Sequence, residues 1–331
     1  MVIRMFGINV LAIYETESYW NSTSTQESMC ARTMDKSEIK VKGLLKTDEP
    51  MARHTSWRAG GHARQYFEPA DLDDLCHFLA ALDPDELVLM LGLGSNLLVR
   101  DGGFPGSVIA LGKSFSRIKV NGSTATVFAD AGAACAKVAR ASAKKGLKNA
   151  EFFAGIPGTM GGALAMNAGA FGGETWNIVR MVTTVDRSGK IHRRSPDEFQ
   201  VSYRDVRLPA EEWFISVELQ LENDPEGVAE RSIKQLLDKR ASSQPMGLPS
   251  CGSVFRNPPN DHAARLIESA GLKGKSIGKA CVSDKHANFI INLGGASARD
   301  IESLIKHVQA TVRENFSVDL QTEVKIIGNE A

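Results

Sequence analysis

Hydrophobic positions take on a regular period only from about Ile39 onward, and they recur in short bursts. Across residues 71–82, Leu72, Leu75, Leu79 and Leu82 fall at helical spacing, and Asp71 suits the N-cap. Residues 87–91, Leu-Val-Leu-Met-Leu, are too few for a helix and predict a buried strand; 108–111 and 124–128 predict two more. Residues 133–145 read as an Ala-rich helix stopped by Gly146. Ile215, Val217, Leu219 and Leu221 alternate with Ser216, Glu218 and Gln220, predicting a strand with one solvated face. Helices dominate beyond Asp224. They are expected at 225–240 with Val228, Ile233, Leu236 and Leu237 inward, at 261–270 closed by Gly271, and at 297–316. In the last of these Ile301, Leu304, Ile305, Val308 and Val312 share a face, and 324–327 predicts a final strand. The change of texture places a domain boundary near residues 223–226.

A chain of 331 residues exceeds most single cores and predicts two or three domains. Lys+Arg and Asp+Glu balance at 39 each, so no global field draws the chain to nucleic acid or to an anionic membrane. No stretch approaches the roughly 20 apolar residues that cross a bilayer. Residues 5–14 are apolar after Arg4, but Glu15 and Glu17 follow with no small-residue cleavage site, which argues against a signal peptide. Residues 16–36 are aperiodic and rich in Ser, Thr and Glu, so 1–38 is expected to be a disordered leader, with Met34 an alternative start. The five cysteines, Cys30, Cys76, Cys135, Cys251 and Cys281, are scattered singly. That pattern favours neither disulfides nor a metal site and fits a reducing cytoplasm.

Two glycine-rich segments carry the chemistry. The first, Gly92-Leu-Gly94-Ser95-Asn96-Leu97, follows a predicted strand; the second is Gly155-Ile156-Pro157-Gly158-Thr159-Met-Gly161-Gly162, continuing to Asn167-Ala-Gly169. Glycines let successive N–H groups converge on phosphate oxygens, and the Ser, Thr and Asn side chains add hydrogen bonds without net charge. Neither segment is a dinucleotide fingerprint or a P-loop: Gly92-x-Gly94 runs into Leu97-Leu-Val99, which reads as strand. One such loop reads as a structural turn. Two of them about 60 residues apart favour a bound pyrophosphate.

At these residues the chain resembles the UDP-N-acetylenolpyruvoylglucosamine reductases, in their flavin-binding loops. Further matches follow in order: Ser202-Tyr203-Arg204; Cys251-Gly-Ser253-Val-Phe-Arg-Asn257-Pro258; Lys285-His286-Ala-Asn288-Phe289; and Glu323-Val-Lys-Ile-Ile-Gly328. The resemblance spans about residues 45–328. It implies an α+β fold: a two-lobed FAD-binding domain of the vanillyl-alcohol-oxidase type at 39–223, with lobes of about 39–115 and 116–223. A smaller α+β substrate domain is implied at 224–331. The short 221–226 connection resembles the form of the family that lacks a substrate-covering tyrosine loop.

The resemblance further implies non-covalent FAD, NADPH as hydride-donating co-substrate, and reduction of UDP-N-acetylglucosamine enolpyruvate to UDP-N-acetylmuramate for peptidoglycan. It assigns Arg204 to the substrate carboxylate as charge builds, Ser253 to proton donation, and Glu323 to stabilising the intermediate with Arg204. Read without the family, Arg204 is a surface ion pair, Ser253 a turn serine and Glu323 the start of a strand. Tyr203, Arg240, Gln244, Asn257, Lys285, His286 and Asn288 are candidates for substrate contacts. His54, Thr55, Ser56, Gly60 and Gly61 are candidates to touch FAD. Two rivals remain: an FAD-linked oxidase of the same fold, and a non-catalytic nucleotide-sugar or flavin sensor. The oxidases often tether flavin through His or Cys where these loops offer Gly, Ser and Thr, and would leave Ser253 and Glu323 unexplained. Intact Arg204, Ser253 and Glu323 argue against the sensor.

Overall fold

The computed structural model describes residues 39–331; the expected leader at 1–38 lies outside them. The first lobe is a four-stranded sheet in the order Leu44–Pro50, His62–Glu68, Phe104–Ala110, Val88–Leu91. Its first pair is antiparallel and the other two pairs are parallel. Helix Leu72–Ala81 covers it, capped as expected by Asp71, whose side chain accepts the Asp74 N–H at 2.8 Å. Leu75, Phe78 and Leu79 are fully buried beneath the helix.

The second lobe is a five-stranded antiparallel sheet with Glu212–Gln220 at its centre, between Val179–Asp186 and Thr126–Asp130. That central strand departs from the alternation read in its sequence. Trp213 and Ile215 enter the first lobe's core, Phe214, Val217 and Leu219 enter the second, and even Ser216 is buried. A register shift between Thr183 and Thr184 accommodates the change, and only the Glu218–Gln220 end is wet. Helix Cys135–Lys144 packs on this lobe and ends at Gly146, which holds φ +69°.

Helix Val228–Ser243 follows residue 224 in sequence but packs Ala229 and Ile233 into the second lobe's core. Val228, expected inward, is exposed instead: the Asp224 carboxylate accepts the N–H groups of Val228 and Ala229, and this start turns Ala229 toward the core. The third unit has its own core. Helices Ala263–Ser269 and Ala298–Phe316 pack on a three-stranded sheet of Ser276–Ile277, Ala280–Val282 and Ile290–Asn292.

Three devices fix the third unit to the first lobe. Trp57 is buried among third-unit side chains, its indole N–H donates to Ile290 O at 2.7 Å, and Asn292 donates to Trp57 O at 2.8 Å. The Asp101 carboxylate accepts the first N–H groups of helix Ala298–Phe316. Finally, strand Lys325–Ile327 leaves the third unit and pairs in parallel with Leu97–Val99 of the first lobe. This last pairing carries the end of the chain to the glycine loops.

Candidate active site

Both glycine loops face one cleft. Of the residues expected to meet a cofactor, Gly92, Gly94, Ser95, Asn96, Leu97, Ile156, Gly158, Thr159 and Gly162 line it. Pro157 faces an adjoining pocket, whereas Gly155, Gly161, Asn167 and Gly169 lie off the cleft wall. The second loop also holds a helix that its sequence did not announce, Met160–Ala165, entered from Thr159.

The glycines divide into two kinds. A Cβ on Gly92 would lie 2.3 Å from Thr159 Oγ1, and one on Gly94, which holds φ +61°, would lie 2.0 Å from His54 O. At Gly161 it would press on Ala131 at 3.0 Å, at Gly155 on the Phe171 ring at 2.6 Å, and at Gly169 on Gly173 O at 2.5 Å. These glycines let the loops touch protein. At Gly158 and Gly162 the nearest atoms are 3.6 and 3.9 Å away, so the backbone there faces open cleft. Loops closed on one side and bare on the other fit a cofactor phosphate against Gly158 and Gly162.

Asn96 and Asn167, expected as cofactor contacts, are engaged within the protein. Asn96 donates to Glu323 O at 3.1 Å. Asn167 donates to Glu174 Oε2 and Ser202 O, and accepts the Trp176 N–H at 3.1 Å. Both brace the charged site described next.

Arg204 sits in the turn between strands Gln200–Ser202 and Asp205–Arg207 with φ +57°, a left-handed conformation unfavourable for a side-chain-bearing residue. Its guanidinium is clamped: Nη1 donates to Asn167 O at 3.2 Å and Nη2 to Gly169 O at 2.8 Å. Nε lies 3.2 Å from Glu323 Oε1 yet is misaligned for a hydrogen bond, leaving that buried N–H without a partner. The exposed Tyr203 ring stacks beneath the cation, 5.2 Å from its central carbon.

Glu323 arrives from the opposite side. Its N–H donates to Val254 O at 2.7 Å, which sets Ser253 one residue away, and Gly252 with φ +71° turns the chain just before it. Burial raises the Glu323 carboxyl above its ordinary value, and the nearby Arg204 and Arg256 cations offset this only in part. Arg204 and Glu323 thus lie side by side, and the Glu323 N–H bond to Val254 O brings the segment bearing Ser253 alongside Glu323.

The weaker substrate candidates separate. Arg240 donates to Gln244 Oε1 at 3.0 Å, and both line a pocket with Ser56, Arg58, Ser95 and Gly252. His54 is set apart from this pocket, with its imidazole hydrogen-bonded to Glu49 at 2.9 Å and stacked on Tyr66. Asn288 is buried, and its amide brackets Phe255, accepting its N–H and donating to its carbonyl. Asn257 accepts the first N–H of helix Ala263–Ser269, and Lys285 donates to Ala241 O, tying the third unit to helix Val228–Ser243. Those three hold backbone. His286 lies edge-on to Phe289, with its imidazole pushed toward neutrality by burial. Cys251 is buried, and its thiol is pushed up to about 12, which leaves it unreactive.

Two residues inside the matched motifs received no role from the sequence. Arg256 donates to Arg204 O at 3.4 Å while its own buried Nε lacks a partner, and Lys325 lines the cleft. Their signal was a cation inside a matched motif, which periodicity cannot separate from a solvated position.

Known proteins resemble this chain over most of its length. Residues 63–195 match the FAD binding domain family, and residues 244–327 match the UDP-N-acetylenolpyruvoylglucosamine reductase C-terminal domain family. The chain is 55% identical over 286 residues to the UDP-N-acetylenolpyruvoylglucosamine reductase of Alkalilimnicola ehrlichii, covering 86% of this chain and 95% of that one. It is 54% identical to that of Methylococcus capsulatus, with 87% and 94% covered. The crystal structure of UDP-N-acetylenolpyruvylglucosamine reductase from Thermus caldophilus superposes with a TM-score of 0.76 at 30% identity, over 87% of this chain and 100% of that one.

Proposed function

Because the chain belongs to the UDP-N-acetylenolpyruvoylglucosamine reductase family, we propose that NADPH reduces it and that Arg204, Ser253 and Glu323 carry its reaction. It is an FAD-dependent oxidoreductase that reduces UDP-N-acetylenolpyruvoylglucosamine. Gly158 and Gly162 are the positions that would admit the FAD phosphates, and bound FAD supplies hydride to the enolpyruvyl double bond.

The protein's own residues do the rest. The observation that carries the reading is the clamped, under-satisfied Arg204 beside a raised Glu323 carboxyl, next to Ser253. A substrate carboxylate gives the orphaned Arg204 N–H the partner it lacks, and a fixed guanidinium stabilises charge that develops there. A Glu323 carboxyl that keeps its proton more readily does not repel that carboxylate. Ser253 delivers the proton to the carbon beside the carboxylate, a weak acid made adequate by a strongly basic acceptor and adjacent cations. Arg240 and Gln244 face the pocket that suits the substrate diphosphate. UDP-N-acetylmuramate is the product, and the four free cysteines among the described residues favour a reducing, cytoplasmic setting.

The test is NADPH oxidation by purified yellow protein. Consumption that depends on the enolpyruvyl substrate and yields UDP-N-acetylmuramate supports the reading. Bound FAD without substrate-dependent turnover would favour the sensor.

A further inference from the structure

Among the described residues, Lys325 is the only charged one lining the cleft, whose walls are otherwise apolar, glycine or neutral polar. It belongs to strand Lys325–Ile327, and its N–H donates to Asn96 O at 3.1 Å, inside the first glycine loop. Ile327, two residues on and on the same strand face, is buried in the first lobe's core, so Lys325 is directed at the cleft side of the strand. The residue is half-buried, yet no carboxylate lies within ion-pairing distance of its ammonium among the described residues. Burial, and after it the Arg256 cation, oppose its protonation, and Asp205 favours it. A cation placed on such a wall costs free energy unless a ligand brings the missing negative charge.

Resting on the FAD-dependent reading, we propose that the Lys325 ammonium faces the redox-active ring of bound FAD and stabilises its reduced form over its oxidised form. Hydride transfer requires the ring and the reacting carbon within about 3–3.5 Å of one another, so the ring must lie at the end of the cleft lined by Asn96, Ala168 and Lys325, where Asn96 donates to Glu323 O and the carbonyls flanking Ala168 hold Arg204. Lys325 is two residues from Glu323 on the same run of chain and within electrostatic reach of Arg256 and Asp205, the neighbours of Arg204. The cleft wall at that end therefore presents Lys325 to the ring. An oxidised isoalloxazine is neutral, whereas the two-electron-reduced ring carries negative charge near neutral pH. A fixed cation beside it therefore discriminates between the two states, one of the means by which a protein tunes a cofactor. Lysine suits the position because its compact ammonium is a point charge on a flexible stem.

The test is the reduction potential of bound FAD in wild type, Lys325→Met and Lys325→Arg, with the dissociation constant for oxidised FAD measured alongside. Yellow protein in any of the three upholds the FAD reading, whatever the potential does. The expected result is that Lys325→Met keeps oxidised FAD with affinity within about threefold. Its preference for the reduced form should fall at least tenfold, a potential about 30 mV more negative for a two-electron couple. Lys325→Arg should restore most of that shift. Equal weakening of both forms at unchanged potential would overturn the proposal and move the cation to the FAD diphosphate. An unchanged potential with unchanged affinity would overturn it too. So would failure of folded Lys325→Met, judged by circular dichroism, to hold oxidised FAD. Should that variant not fold, Lys325→Gln carries the same expectations.

Discussion

Two Arg–Glu pairs of the protein, one in the second lobe and one at the cleft, differ in electrostatics. In the second lobe, Glu212 is 1% exposed, and Arg194 reaches it through both Nε and Nη2 while Thr184 donates to the same carboxylate. Burial alone would raise the Glu212 carboxyl, but these hydrogen bonds outweigh it and hold it low. At the cleft, Arg204 meets Glu323 through a single misaligned Nε contact, and burial keeps that carboxyl raised. One pair is satisfied by protein. The other is left open for a ligand, with its Arg held in a left-handed turn by Asn167 O and Gly169 O.

The difference predicts opposite phenotypes. Arg204→Met should lower kcat/KM for the enolpyruvyl substrate by about 100- to 1,000-fold, the usual cost of one stabilising donor, with little change in Tm. Arg194→Met should strip buried Glu212 of its two guanidinium hydrogen bonds, costing about 3–5 kcal/mol of stability, while the folded fraction keeps normal turnover. Thermal melts and steady-state kinetics on both variants check this. A stable, inactive Arg194→Met would break the comparison.

The glycines sharpen the same distinction at smaller scale. Gly158→Ala should leave the apoprotein stable, because its Cβ meets nothing closer than 3.6 Å, yet weaken FAD binding about tenfold, or about 1.4 kcal/mol. Gly94→Ala should do the reverse, losing about 1–3 kcal/mol of fold stability through collision with His54 O. Denaturant melts and FAD titrations separate the two.

The smallest effect is in pH. Glu212 has a lowered carboxyl, so its contribution is present above the ordinary carboxylate range and lost as pH falls through its folded value. Glu323 is raised, so its contribution is present below that range and lost as pH rises through its folded value. At pH 7, Glu212→Gln should therefore destabilise the protein, and Glu323→Gln should stabilise it or leave it unchanged. Both differences from wild type should shrink toward pH 4.

Much of this was legible in the chain because it is local. Asp71, Gly146 and the apolar stripe of Ser297–Phe316 announce their elements through short-range rules of capping and period. What stayed hidden depends on distant partners. Whether Gly94 or Gly158 meets a ligand is decided by His54, forty residues away, and by the empty cleft. Asn288 looked like a ligand contact until its amide was seen to bracket Phe255. Both-face burial of Trp213–Ser216 required knowing that the first lobe covers one face of that second-lobe strand. Arg204, Ser253 and Glu323 were visible only as matches to a family pattern; no periodicity singles them out.

The central claim, that Ser253 beside the Arg204–Glu323 pair serves substrate protonation, is tested most directly by stopped-flow absorbance of the flavin in Ser253→Ala. Bleaching by NADPH should proceed at near-normal rate, whereas recovery of colour on adding the enolpyruvyl substrate should slow about 100- to 10,000-fold, the usual worth of general acid catalysis. Slowed bleaching with normal recovery would contradict the assignment and place Ser253 at the nicotinamide or flavin instead.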